Sequence, residues 1–121
     1  MQRTISTSTH AFLDYLASVT LLGGPWIFGF QHEPMAKTIS LLSGATIAMV
    51  SFFTYFEGGV VRFLPMRIHL SLDALLGLSL IAVPMMFNIS DPGRSFIITM
   101  GALNFAGAVS TWPSPPKDLI K

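Results

Sequence analysis

No cysteine occurs in these 121 residues, which removes disulfides, thiolate metal sites and cysteine nucleophiles and leaves the redox compartment unread. Charge is nearly as scarce. Asp, Glu, Lys and Arg make up 11% of the chain, against roughly 25% in an ordinary soluble domain. The seven Lys and Arg are scattered and the net charge is +1, so a nucleic acid finds no basic stripe to bind. No Gly-rich phosphate loop, Ser-His-Asp set or paired-carboxylate hydrolase site can be assembled. With so little chain outside its apolar runs, no enzymatic activity is expected.

What the chain does have is apolar length. It is 51% hydrophobic with a mean hydropathy of +0.62, and its apolar residues gather over 11–30, 38–56, 68–87 and 95–112. Each stretch is near the ~20 residues that carry a helix across a ~30 Å hydrocarbon core. A soluble fold would need four helices apolar on every face with no polar surface to cover them. The expected class is therefore all-α membrane, one four-helix transmembrane domain over 1–121. Arg3 ahead of an apolar run imitates a secretory signal. Asp14 interrupts that run and no small-residue cleavage site follows, so a retained first helix is expected.

The chain also repeats itself. Displaced by 59 residues without a gap, Arg3 falls on Arg62, His10 on His69, Leu13 on Leu72, Asp14 on Asp73, Pro25 on Pro84 and Phe28 on Phe87. Farther on, Ile39, Val50 and Ser51 fall on Ile98, Val109 and Ser110. Aliphatic matches are cheap in so apolar a chain, but a matched His-x3-Asp is not. Repeat 1 is read as 1–59 and repeat 2 as 60–121. Two crossings per copy return the chain to its starting side, so the copies are parallel, with a pseudo-twofold axis along the membrane normal rather than inverted. His10–Asp14 and His69–Asp73 then share one depth, and the four side chains are expected to meet around the bundle axis.

Four crossings put both termini and the loop near 57–67 on one side, with Arg3, Arg62, Arg67, Lys117 and Lys121, against Lys37 and Arg94 opposite. The positive-inside rule makes that side cytoplasmic. Ser6, Thr7, Ser8 and Thr9 offer N-caps for helix 1, and Pro65 suits the first turn of helix 3. Pro25 and Pro84 loosen helices 1 and 3 near their far ends, which a membrane helix tolerates when a neighbour satisfies the freed carbonyl. Gln31 to Pro34, and Asn88 with Asp91-Pro92-Gly93, make the outer turns. Trp26 and Phe30 are assigned to the far interface, Tyr55 and Trp112 to the near one. Ser40, Gly44 and Ala48 form a small-residue stripe on helix 2, and Ala102, Ala106 and Ser110 on helix 4. Both read as bundle packing in preference to a homodimer face.

With His10…Asp14…Pro25-Trp26…Gly29-Phe30 in one copy and Pro65-Met66-Arg67…His69…Asp73…Pro84 in the next, the chain resembles the SPW-repeat family of small bacterial membrane proteins, known for a tandem two-helix unit ending in Ser-Pro-Trp. Gly24 stands in place of the signature serine in copy one, and Val83-Pro84-Met85 replaces the whole triplet in copy two. The resemblance implies the fold, a membrane location and bacterial origin, hence a multi-pass protein of the inner membrane. It implies no activity.

Ionisable groups inside a membrane suggest function by default, and His and Asp at i and i+4 share one helix face. Three readings of His10, Asp14, His69 and Asp73 follow. Each pair is structural, bonded within its helix or to neighbouring hydroxyls. Or the four converge as a His2Asp2 set for a divalent metal or for protons. Or His10 and His69 are axial ligands of a haem, each oriented by its Asp. The structural reading is preferred, with no cofactor expected, which makes the chain a scaffold or accessory subunit. Its surroundings would be the lipid bilayer and a membrane-protein partner or a second copy. His32 reads as a solvated loop residue, Met85 and Met86 as ordinary membrane apolar residues, and Asn104 as an interhelical hydrogen-bond donor or acceptor. Glu57, Arg62 and Arg67 read as an interfacial charge cluster.

Overall fold

The computed structural model describes residues 3–115 and contains four helices: α1 (Thr7–Ile27), α2 (Pro34–Phe52), α3 (Met66–Met86) and α4 (Gly93–Ser110). Each helix begins where local chemistry permits. Ser6 caps α1, its Oγ accepting from the Thr9 N–H at 3.1 Å. Pro34 opens α2 and Pro65 immediately precedes α3. The Asp91 carboxylate holds the first turn of α4 by accepting from the Ser95 N–H and hydroxyl, and these bonds keep its carboxyl below the usual range.

The outer ends of α1 and α3 stop in the same way, which gives the signature residues a physical role. Phe30 N–H donates to the Pro25 carbonyl at 2.8 Å across Gly29 at φ 76°. Ile89 N–H donates to the Pro84 carbonyl at 3.0 Å across Asn88 at φ 57°. Both are Schellman stops with a left-handed residue after the helix, for which glycine is best suited and asparagine is tolerated. Pro25 also leaves the Leu21 carbonyl without its helical donor, and Ser40 Oγ supplies one at 2.6 Å. Phe30 is therefore not an interfacial aromatic. It turns inward at 1% exposure because the stop aims it into the core, whereas Trp26 stays exposed with the Lys37 ammonium 5.2 Å from its ring centre.

α1 packs along α2 and α3 along α4, while contact between the two hairpins is sparser and the α1 and α3 backbones do not meet. Glycine sets the close approaches. A Cβ at Gly77 would stand 2.7 Å from the Gly101 carbonyl, and one at Gly44 2.9 Å from the Ser18 carbonyl. The interior is layered. Phe30, Ala36, Leu80, Ile89 and Ile97 fill the outer end, Leu21, Ile47 and Met100 the middle, and Ala11, Phe56, Met66 and Leu70 the inner end. Large apolar side chains also face outward on every helix, among them Val19, Leu42, Leu75 and Leu103. α2 and α3 are long and apolar enough to cross a membrane.

Burial reveals a register that the ungapped comparison misses. Buried positions of α3 are those of α1 moved by 59: His10 and His69, Asp14 and Asp73, Leu21 and Leu80, Pro25 and Pro84. In α4 they are those of α2 moved by 57: Ala36 and Gly93, Ser40 and Ile97, Gly44 and Gly101, Ser51 and Ala108. A two-residue shift between α3 and α4 rotates the inward face of the last helix. Ala102 and Ala106, read as packing residues from their four-residue spacing, are exposed, and Gly101 makes the close approach instead.

Candidate functional site: a buried histidine–aspartate quartet

His10 and Asp14 lie one turn apart on α1, as His69 and Asp73 do on α3, and the two helices turn these faces toward each other. All four side chains are buried, at 0–4% exposure. His10 Nε2 stands 2.9 Å from Asp73 Oδ2 and 3.1 Å from Asp14 Oδ2; His69 Nε2 stands 2.7 Å from Asp14 Oδ2 and 3.0 Å from Asp73 Oδ2. Nitrogen and oxygen thus alternate around a closed ring. The shorter of each histidine's two carboxylate contacts crosses to the other helix, so α1 and α3 meet through four side chains where their backbones do not. Ring centres of the two imidazoles are 5.3 Å apart and nearly perpendicular. Among the described residues no other ion pair occurs.

The distal ring nitrogens are held as carefully as the proximal ones. His10 Nδ1 is 2.8 Å from Thr111 Oγ1, and His69 Nδ1 is 2.8 Å from Thr54 Oγ1. Each threonine hydroxyl already donates its one proton to the carbonyl four residues back, Thr54 to Val50 and Thr111 to Gly107, both at 2.6 Å. Each oxygen must therefore accept from the imidazole, which fixes the proton on Nδ1 and points Nε2 at the carboxylates.

The threonines are placed by paired backbone bridges. Ile5 and Thr111 pair beside α1, and Thr54 and Leu64 pair beside α3. Ile5 and Leu64 are 59 apart, Thr54 and Thr111 57 apart, the same two registers as the helices. Thr54 and Thr111 escaped the sequence reading because a single displacement puts them out of step and because they lie beyond the helix ends. Two registers applied separately to the first and second helices would have matched them.

The surround differs between the copies. Ser51 Oγ donates to Asp14 Oδ2 at 3.2 Å, whereas the corresponding position near Asp73 is Ala108. Asn104 Nδ2 instead donates to the Asp73 backbone carbonyl at 2.7 Å, the interhelical bond expected of it. Phe56, fully buried, covers the His69 ring at 5.1 Å between centres. No buried side-chain nitrogen or oxygen among the described residues lacks a partner. A cavity of about 490 Å3 in the α1–α4 seam, lined by Leu13, Ala17, Leu103 and Gly107, reaches His10 and Asp14.

Other candidates lie apart from the quartet. His32, Met85 and Met86 are exposed. Pro65 and Arg67 are exposed at the start of α3. The Glu57 carboxylate forms no ion pair with Arg62 or Arg67, and Arg62 Nη2 reaches only the Glu57 backbone carbonyl, at 3.4 Å. That carboxylate accepts from Thr7 Oγ1 at 2.7 Å, while Arg62 Nε donates to the Gly59 carbonyl at 3.0 Å, because the tight turn brings backbone rather than carboxylate within its reach. Lys117 and Lys121 fall outside the described residues.

Chemically, the quartet is a closed set of charges. With both imidazoles protonated the four charges cancel, and with both neutral the set carries two negative charges. Residues 8–112 match the SPW repeat domain. No curated protein and no solved structure matches the chain.

Proposed function

The chain belongs to the SPW-repeat family, and from that premise we propose that it is a four-span protein of the bacterial inner membrane, a non-enzymatic scaffold or accessory subunit. Both termini lie in the cytoplasm. Its two repeats are parallel and locked face to face by the quartet. The carrying observation is the closed, fully partnered His–Asp ring between α1 and α3, with apolar side chains directed outward around it.

Several features support four spans. α1 and α4 have 21 and 18 residues, about 31 and about 27 Å of helix, comparable to the hydrocarbon thickness. Each packs lengthwise on one of the two helices apolar enough to cross. The polar residues that lower the hydropathy of α1 are satisfied inside the protein: Ser18 donates to the Gly44 carbonyl, Thr20 to Leu16, and His10 and Asp14 lie in the ring. Burying an ion pair in this way costs desolvation that its attraction only partly returns, but it makes the pairing specific. A chain with no catalytic constellation and a built-in device for joining two hairpins serves best as a framework for a membrane partner or a second copy.

The absence of native cysteine makes the topology directly testable. A single cysteine replacing Gln31 should be labelled by an impermeant maleimide from the periplasmic side, and one replacing Val60 only after lysis. A cytoplasm-active reporter fused after Lys121 should give signal. Labelling of Val60→Cys in intact cells would contradict the assigned orientation.

A further inference from the structure

We propose that His10, Asp14, His69 and Asp73 form a closed tetrahedral site for one divalent transition-metal ion of the zinc class, each residue contributing one ligand atom. The proposal rests on the reading of the chain as two hairpins joined at this ring, and adds the ion that joins them.

Four independent features of the site agree. The four ligating atoms lie within 4.8 Å of one another and none is exposed. With metal–ligand bonds of about 2.0–2.2 Å, tetrahedral ligands stand roughly 3.3–3.6 Å apart, so the Nε2–Oδ2 separations of 2.7 to 3.1 Å need to open by only a few tenths of an ångström to about 0.9 Å. Second, Thr54 and Thr111 hold Nδ1–H, so that when an ion displaces the Nε2 proton to solvent the lone pair left on each imidazole points toward the common centre. An oriented second hydrogen bond of this kind is the usual companion of a metal-bound histidine. Third, two neutral imidazoles and two carboxylates leave two negative charges that one divalent cation cancels; among the described residues no Lys or Arg pairs with either carboxylate, and Arg3 donates to the Thr111 backbone carbonyl instead. Fourth, two nitrogens and two oxygens with no thiolate suit a borderline divalent ion, and four protein ligands without an open position mark a structural site rather than a catalytic one. The α1–α4 seam gives access to His10 and Asp14.

The haem alternative does not fit the same atoms. Asp14 and Asp73 occupy the plane between the two Nε2 atoms, where a porphyrin coordinated by both histidines would have to lie.

The test uses the full chain, purified in detergent, treated with a chelator and titrated with Co2+. The expected result is visible d–d absorption of the intensity given by tetrahedral cobalt, saturating at one ion per chain and erased by Zn2+. Asp73→Asn should abolish it. Thr54→Val combined with Thr111→Val, which leaves every ligand in place, should weaken Co2+ binding by roughly 10–100-fold, and the corresponding Ser variants should restore it. Circular dichroism and size-exclusion chromatography establish that each variant is folded. Folded wild-type protein without d–d absorption would overturn the proposal, as would absorption that persists in Asp73→Asn. Neither result bears on the four-span topology of the proposed function, which the cysteine labelling tests separately.

Discussion

The two ends of this molecule are built on different terms. At the inner end the copies match in chemistry: His10 answers His69, Asp14 answers Asp73, and Thr111 answers Thr54, with matching hydrogen bonds. Toward the outer end Leu21 with Leu80 and Pro25 with Pro84 recur, but the positions packed around them match only in shape. Phe30 answers Ile89, Ser40 answers Ile97, and Gly29 answers Asn88, yet all of the first four are buried and both stops form. Hydrophobic packing accepts any set of side chains with about the right volume. A buried charge accepts only the partners that neutralise it. The difference explains why the degenerate signature of the second copy, Val83-Pro84-Met85, still ends its helix: the Pro84 carbonyl and a left-handed residue suffice, and neither serine nor tryptophan is needed for the stop.

That contrast can be broken at the inner end first. Asp14→Ala leaves two histidines facing one carboxylate and should destabilise the bundle by about 3–5 kcal/mol, read as the midpoint shift in a reversible detergent-unfolding titration. Asp73→Ala should cost less than Asp14→Ala, because Ser51 donates to Asp14 alone. The largest outer-end effect belongs to Ile97, fully buried in the apolar cluster. Ile97→Ala should cost about 2–5 kcal/mol, and its effect should add to that of Asp14→Ala within about 0.5 kcal/mol, since the two share no partner. Strong non-additivity between them would mean that the ends are one unit.

Smaller changes sharpen the comparison within the outer end. Ser40→Ala strips the donor from the Leu21 carbonyl that Pro25 freed and should cost about 1–3 kcal/mol. The equivalent Ile97 offers no hydroxyl, so this cost has no counterpart in the second copy. The smallest expected effect lies at the stops. Gly29→Ala forces a Cβ into the left-handed region and should cost about 1–2 kcal/mol, whereas Asn88→Gly should change stability by less than about 1 kcal/mol. A loss from Asn88→Gly as large as that from Gly29→Ala would show that Asn88 does more than occupy the turn.

How far the sequence can be read follows the same division. His10–Asp14 and His69–Asp73 stand out because their residue types are rare in an apolar chain, and the structure brings them together. All four helices and their approximate bounds were legible from the apolar runs, and the turns at Gln31–Pro34 and Asn88–Gly93 from their composition. The inward face of α4 was not. Ile39 with Ile98 and Val50 with Val109 are matches between aliphatic residues that carry almost no register information, and they concealed a displacement of two. That displacement hides the pairing of Thr54 with Thr111, while the four-residue spacing of Ala102 and Ala106 does not tell which face of α4 they occupy. Phe30 was misplaced because aromaticity near a helix end signals an interface only when the backbone stop does not redirect the side chain.

The central claim is that both hairpins share one polar site, and the most direct test is a double-mutant cycle on Asp14→Asn and Asp73→Asn, measured by reversible unfolding of the same purified chain. The ring predicts a double variant less costly than the sum of the singles, with a coupling of about 0.5–3 kcal/mol, because the first substitution already leaves both histidines short of a partner. Costs that simply add would contradict it and leave two separate His–Asp pairs, one on each helix.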